Sequence, residues 1–287
     1  MKCSIVIRAK NEGKSIGKTL SLLYEQRLRP HEVIVVDNLS TDDTLAVVAK
    51  FKEVKAVNLE KWSFGRSLNR GCQEATGEFI VSLSAHAYPI GDRWLENLLI
   101  PFSDPAVAGV WAKEVPCGDA WPPVRRTNSI YYNDDYKVQS DINKREDHIF
   151  SNMSSAFRRS LWQEHQFNEQ LPYMDDVEWA IAMLRRGHKI IYEPKAKVIH
   201  SHNVFFKKLY KQSRLSMLAV KILYGDKYST LYWLRMCKND IRQDWKCILK
   251  SQRDYHWFFM TVLYRLISTY GYIRADKAAV SKVEFEP

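Results

Sequence analysis

Phe79-Ile80-Val81-Ser82-Leu83-Ser84-Ala85-His86-Ala87-Tyr88-Pro89 reads as a buried apolar strand that runs into polar residues and is stopped by proline. In an α/β sheet, ligands gather at the C-terminal end of such a strand. Ser84, Ala85 and His86 therefore fall where a site is expected, and the function turns on what His86 does there.

The residues before this strand supply the rest of a parallel half-sheet. Cys3 to Ile7 is a β-branched run, followed by Arg8-Ala9-Lys10-Asn11-Glu12-Gly13 and a helical pattern that turns Ile16, Leu20 and Leu23 to a core. A second strand, Glu32 to Val36, ends in Asp37-Asn38-Leu39-Ser40-Thr41-Asp42-Asp43-Thr44, where Ser40 or Thr41 is placed to cap the next helix. A third strand around Val54 to Leu59 completes a β-α-β-α-β unit. Asp37, at a strand end, is either a turn aspartate or an acceptor for a base N–H or ribose hydroxyls. Arg66 and Arg70 lie four apart on one face of the helix leading into the central strand; they are either solvated or turned toward a diphosphate.

Four segments together resemble the family 2 glycosyltransferases of the GT-A fold. They are Ser4 to Glu12, Val35 to Asp42, Gly65-Arg66-Ser67-Leu68-Asn69-Arg70-Gly71 and Gly77-Glu78-Phe79, and their order and spacing agree over roughly the first 200 residues. The resemblance implies a Rossmann-like, mainly parallel α/β sheet flanked by helices. It also implies an inverting enzyme that moves a sugar from a nucleoside diphosphate donor, UDP or dTDP, to an acceptor hydroxyl. By this resemblance Arg8, Ala9, Asn11, Glu12, Asp37, Arg66, Asn69, Arg70, Ser84 and Ala85 are expected around the donor.

The end of the central strand departs from the family pattern. A DxD motif is expected there, and the chain has Ser84-Ala85-His86 instead. Ser84 can replace the first acid only as a neutral partner. His86 is a metal ligand, a contact to the diphosphate or a structural histidine. A neutral imidazole nitrogen suits Mn²⁺ or another transition ion better than Mg²⁺, which favours oxygen. A divalent metal, Mn²⁺ or Mg²⁺, is the expected cofactor.

Downstream, a helix from Arg93 to Phe102 and a strand from Val107 to Trp111 are predicted, and residues 113–150 read as a long irregular functional loop. Asp175 and Asp176 open a helix that runs to Arg185-Arg186-Gly187. Acids at a helix N-terminus are ordinary dipole partners. The resemblance instead implies that this pair contains the catalytic base, Asp176 first and Asp175 second, with Glu178 positioning an acceptor or a basic side chain. After a strand from His188 to Tyr192, His200 and His202 are expected to alternate along an extended segment and point the same way. A histidine near here often completes the family's metal or diphosphate site, and His202 is the preferred one.

The expected division is a catalytic domain over 1–202, with a nucleotide-sugar half over 1–112 and an acceptor half over 113–202, followed by a basic, aromatic helical region over 203–287. Of the net charge of +10, nine come from residues 203–287, where 16 Lys and Arg face 7 Asp and Glu. Basic helices with aromatic faces point to peripheral contact with an anionic membrane. The long form of the resemblance adds a glycan acceptor on polyprenyl diphosphate, a rhamnosyl donor, and work at the cytoplasmic face of the membrane. No nucleic-acid motif is present. The start is too short for a signal peptide's hydrophobic region, and the apolar run from Trp257 to Thr269 is broken by Arg265, so neither export nor a membrane span is expected. The five cysteines lack the close pairs of a zinc site or disulfide framework. A nucleotidyltransferase would want a glycine-richer loop than Arg8 to Gly13. The remaining alternative is a noncatalytic relative that binds nucleotide sugar or scaffolds an assembly.

Overall fold

A computed structural model describes residues 1–251 and 254–278; the end of the expected helical region, 279–287, lies outside the described residues. Nine strands form one mixed sheet: β1 (Cys3–Ala9), β2 (Glu32–Asp37), β3 (Val54–Asn58), β4 (Phe79–Ser84), β5 (Tyr88–Pro89), β6 (Val107–Val115), β7 (Lys137–Gln139), β8 (Ser154–Arg158) and β9 (Lys189–Ile199). Their order is β3-β2-β1-β4-β8-β6-β9-β5, with β7 paired to β9. The first four run parallel, with Ile5 against Val33 on one side and Val81 on the other. β8 then pairs antiparallel with both β4 and β6. The strand order reverses between β1 and β4, so the loops after Ala9, Asp37 and Ser84 meet at a topological switch point, the usual place for a nucleotide in such a sheet.

Each face of the sheet is covered. On one, Ile16, Leu20 and Leu23 pack with Ile5, Ile7 and Val81 and with Trp94 and Leu98 of the helix Trp94–Leu99. On the other, Leu68 and Cys72 of the helix Phe64–Glu74 and Trp179 and Met183 of the helix Asp175–Arg185 pack on Val6, Ile34, Ile80 and Phe157. Gly71 is required by this contact, since a Cβ there would lie 2.2 Å from Val6 Cγ1. Gly187, at φ +80°, ends the helix of the acid pair in the left-handed conformation, with His188 N–H donating to Met183 O (3.1 Å).

The sheet belongs to one compact unit, residues 1–115, 132–170 and 175–200; the other holds 116–131, 171–174 and the chain from 201 onward. This division departs from a linear boundary at 202. Residues 122–131, expected in an irregular loop, form a helix whose Arg126 is ion-paired with Asp240 and Asp244 of the helix Thr230–Ser251. Pro122 and Pro123 open that helix, where proline's fixed φ and missing N–H cost nothing. Two other expectations are corrected. Predicted as a strand ending at Tyr192, β9 continues to Ile199 across a bulge opposite Ala112 and Lys113. The short helix Thr44–Val48 is served by Asp42, whose Oδ1 accepts from Thr44 N–H (3.0 Å), rather than by Ser40 or Thr41.

Candidate active site

The loops after β1 and β2 are laced together. Asn11, at φ 54°, donates its N–H to Ser40 Oγ (2.8 Å) and accepts from Thr41 N–H (2.8 Å). Glu12 N–H donates to Thr44 Oγ1 (2.7 Å). Asp37 is buried, and its two oxygens accept from Ser40 N–H (2.9 Å) and Ser40 Oγ–H (2.6 Å). Asp37 thus holds the turn that shapes this shelf, and Ala9 is buried beneath it.

Three residues of the expected donor set lie on the helix Phe64–Glu74. Asn69 is buried and its amide is used inside the fold, donating to Phe167 O (2.9 Å) and Glu169 Oε1 (3.2 Å) and accepting from Trp162 Nε1–H (3.0 Å) and Phe167 N–H (3.1 Å). Arg66 is paired with Glu169 (2.8 Å) and Arg70 with Glu74. Asn69 and Arg66 thus tie the helix to the segment around Phe167 and Glu169, whereas the Arg70 pair lies within the helix itself. Arg8 instead donates to Phe64 O (3.3 Å), lies over the Phe64 ring, and exerts its charge on Asp175 and Asp176.

Just past β4, His86 stands in a line of polar groups. Its Nδ1 meets Glu12 Oε1 (2.9 Å), and its Nε2 meets His200 Nε2 (3.2 Å) and Ser84 Oγ (3.3 Å). His200 Nδ1 in turn meets Glu114 Oε2 (2.9 Å), and Glu114 Oε1 accepts from Ser151 Oγ–H (3.1 Å) and from the Tyr132 hydroxyl. The imidazoles are stacked, 5.0 Å apart and 18° from parallel. His200 is 3% and Glu114 7% exposed. Burial, reinforced by the Glu114 charge, holds the Tyr132 phenol well above its usual range. His200 follows β9 directly, its N–H extending the ladder to Val115 O (2.9 Å), whereas His202 lies in coil. At the end of β9 it is His200 that meets His86 directly. Glu114 and Tyr132 carried no local signal, since each sits in an otherwise structural stretch.

The acid pair opens the helix Asp175–Arg185. Asp175 is 5% exposed and its Oδ2 is buried with no hydrogen-bond partner. Burial, and then the neighbouring Asp176 charge, pushes its carboxyl up to about 7 against the pull of Arg8. Asp176 is raised by burial too, opposed by N–H groups of Asn152 (3.0 Å to Oδ2) and Val177 (2.9 Å to Oδ1). Glu178 faces His165 (3.2 Å), so of its two expected partners it takes the basic one.

A mixed sheet with a switch-point shelf, a polar strand end and an acid pair opening a helix is the architecture of the GT-A fold. Residues 4–165 match Glycosyl transferase family 2, more than half of the chain, and the protein belongs to that family. It is a glycosyltransferase. It is 29% identical over 211 residues to the O-antigen chain rhamnosyltransferase RfbN of Salmonella typhimurium, covering 71% of this chain and 67% of that one. With the O-antigen chain rhamnosyltransferase WbaN of Salmonella anatum it shares 28% identity over 62% of this chain and 59% of that one. Among solved structures, the mannosyltransferase PcManGT of Pyrobaculum calidifontis, bound to GDP-Man and Mn²⁺, superposes with a TM-score of 0.67 at 18% identity, over 96% of this chain and 88% of that one. Staphylococcus aureus TarS bound to UDP gives 0.58 at 16%, over 96% and 90%. At such identities the likeness speaks for the fold.

Proposed function

We propose that the protein is an inverting glycosyltransferase that moves a sugar, rhamnose in the first instance, from dTDP or UDP to a hydroxyl of a glycan carried on polyprenyl diphosphate during surface polysaccharide assembly. The observation that carries the reaction type is the acid pair opening the helix Asp175–Arg185, close enough to Arg8, at the end of β1, to feel its charge. The names of the two Salmonella relatives support the sugar and the pathway class. Asp176 takes the acceptor hydroxyl's proton as its oxygen attacks the anomeric carbon. The carbon–oxygen bond to the diphosphate breaks on the opposite face, and the electron pair leaves with the diphosphate. Asp175 stands beside Asp176 at the helix start, its carboxyl raised by burial and by the Asp176 charge. The shelf of Arg8, Ala9, Asn11, Glu12 and Asp37 takes the nucleoside, with Ser84 and Ala85 beside the ribose.

The side chains at the strand end fit a divalent ion. His86 and His200 bring imidazole nitrogens together between two carboxylates, standing where the family has a DxD, with His202, two residues along the chain, as the third expected donor. When bound, such an ion offsets charge on the leaving diphosphate. Calorimetric titration with dTDP, UDP, GDP and CMP, each with Mn²⁺, Mg²⁺ or EDTA, is expected to give tight binding of dTDP or UDP with Mn²⁺ only. Equal binding in EDTA would remove the metal, and no binding of either pyrimidine nucleotide would remove the donor assignment.

Membrane contact has a physical basis in the second unit. Among the described residues no helix is long and apolar enough to cross a membrane. On the helix Trp257–Asp276, however, Phe259 (85% exposed), Leu263, Leu266 and Tyr270 form one outward stripe at helical spacing. A groove of about 480 Å³ adjoins it, lined by Phe206, Lys207, Tyr210, Leu266, Ile267 and Tyr270. An apolar stripe edged by lysine suits the interface of an anionic bilayer. Sedimentation with phosphatidylglycerol vesicles is expected to carry the protein down, and phosphatidylcholine vesicles to leave it in solution. Phe259→Ser with Leu263→Ser should abolish the first result; unaltered pelleting of that variant would exclude this face.

A further inference from the structure

We infer that Glu12 and Glu114 are positioning residues that fix the tautomers of His86 and His200, so that two imidazole Nε2 lone pairs converge and form a nitrogen-rich seat for a divalent transition ion. The inference rests on the metal reading above and assigns what prepares that seat.

A carboxylate oxygen only accepts, so the 2.9 Å contacts of Glu12 with His86 Nδ1 and of Glu114 with His200 Nδ1 each require an N–H on Nδ1. A neutral ring with its proton on Nδ1 carries its lone pair on Nε2. With both rings neutral, the two Nε2 atoms, 3.2 Å apart, turn lone pairs toward each other, and the Ser84 hydroxyl lies 3.3 Å from His86 Nε2. Lone pair against lone pair is unfavourable in a partly dry site and becomes favourable when a cation takes both. That separation lets both nitrogens reach one ion at the usual metal–nitrogen distance of about 2.0–2.1 Å.

The arrangement is fixed from several directions. Glu12 comes from the loop after β1, His86 from the loop after β4, Glu114 from β6 and His200 from the end of β9. Glu114 is held in turn by Ser151 and Tyr132, so its Oε2 cannot swing away from His200. A histidine serving only the fold needs one partner; here each ring has a carboxylate on one nitrogen and the other ring on the opposite nitrogen. Imidazole donors also rank Mn²⁺, Co²⁺ and Zn²⁺ above Mg²⁺, unlike an all-carboxylate site.

The test separates tautomer from metal. In nucleotide-free protein, long-range ¹⁵N–¹H correlation spectra are expected to show His86 and His200 protonated on Nδ1; an Nε2–H form of either ring would overturn the inference. Mn²⁺ titration followed by electron paramagnetic resonance is then expected to show Glu12→Gln and Glu114→Gln binding about 10–100-fold more weakly than the parent. Glutamine keeps the shape and an acceptor while removing the charge, and circular dichroism checks that each variant is folded. Parent-like Mn²⁺ affinity in both variants would also overturn the inference. If the parent chain takes up no Mn²⁺ while both rings are Nδ1-protonated, the metal reading falls and the tautomer assignment stands.

Discussion

Asp176→Asn is expected to keep nucleotide binding and lose transfer by about 10²–10⁴-fold in kcat, the usual worth of a positioned general base. An amide cannot take up the acceptor's proton, and nothing in the shelf that holds the nucleoside depends on Asp176. Its oxygens accept from Asn152 and Val177, so the asparagine NH₂ must face one backbone N–H; a melting curve has to accompany the assay. Near-normal turnover in a folded variant would end the assignment. The pH profile gives a second handle. A charge on one member of the pair disfavours charge on the other, and Asp175 is pushed from an ordinary 3.8 to about 7. The pair therefore sheds its last proton near neutrality, from Asp175, and transfer by the parent chain should fall only in more acid solution, where Asp176, itself raised by burial, takes up a proton. Stability runs the other way. With the folded carboxyl raised, the native state binds more protons than the unfolded chain between about pH 4 and 7, so the contribution is full in acid and is lost as pH rises through about 7. Asp175→Asn should flatten that slope and raise the melting temperature most above pH 7. Its effect on transfer should be confined to pH above about 7, where the parent Asp175 is charged and the asparagine is not. A pH-melting profile unchanged by Asp175→Asn would show that the buried carboxyl is not strained.

The parts of the fold that were legible in the sequence are those whose signal is local. Cys3 to Ile7, Glu32 to Val36 and Phe79 to Ser84 are continuous apolar or β-branched runs, and runs of that kind belong to strands buried on both faces. The acid pair and its helix announced themselves through the apolar periodicity behind Asp175 and Asp176. The helix Pro122–Tyr131 did not, because two prolines and a polar sequence look like a breaker unless they fall in a first turn. The structural part played by Asn69 was hidden for another reason. The residue lies in the segment that carries the family resemblance, but its amide is needed by Phe167 and Trp162, about a hundred residues away. His200 against His202 could not be decided by alternation, since β9 stops at Ile199 and alternation stops with it. Glu114 is the clearest loss: a single acid near the end of an apolar strand has meaning only once His200 and Tyr132 are placed against it.

Asp244→Ala is expected to destabilise the second unit by about 3–5 kcal/mol, the cost of leaving buried cations without their counter-charge. Asp244 is fully buried (0% exposed) and accepts from Arg126 Nε–H, Arg265 Nε–H (2.6 Å) and Arg265 Nη2–H (3.0 Å). The three residues come from the helices Pro122–Tyr131, Thr230–Ser251 and Trp257–Asp276, so one carboxylate ties together segments more than a hundred residues apart. Arg126 retains Asp240 (2.7 Å) when Asp244 is removed, but Arg265 loses the carboxylate it is paired with in this cluster. The measurement is a urea midpoint read by near-ultraviolet circular dichroism, where the tryptophans and tyrosines of these helices report. A loss under about 1 kcal/mol would mean that the buried charges are solvated in a way the packing does not suggest. Replacing the whole triad, Arg126→Met with Asp244→Leu and Arg265→Met, should recover most of the loss, because a matched apolar set no longer needs the charges. The same geometry bears on how the chain can be divided. Cutting after residue 202 would strip Arg126 of Asp240 and Asp244 and leave the helix Pro122–Tyr131 without the partners it folds against, so the C-terminal helices and residues 116–131 have to be kept together.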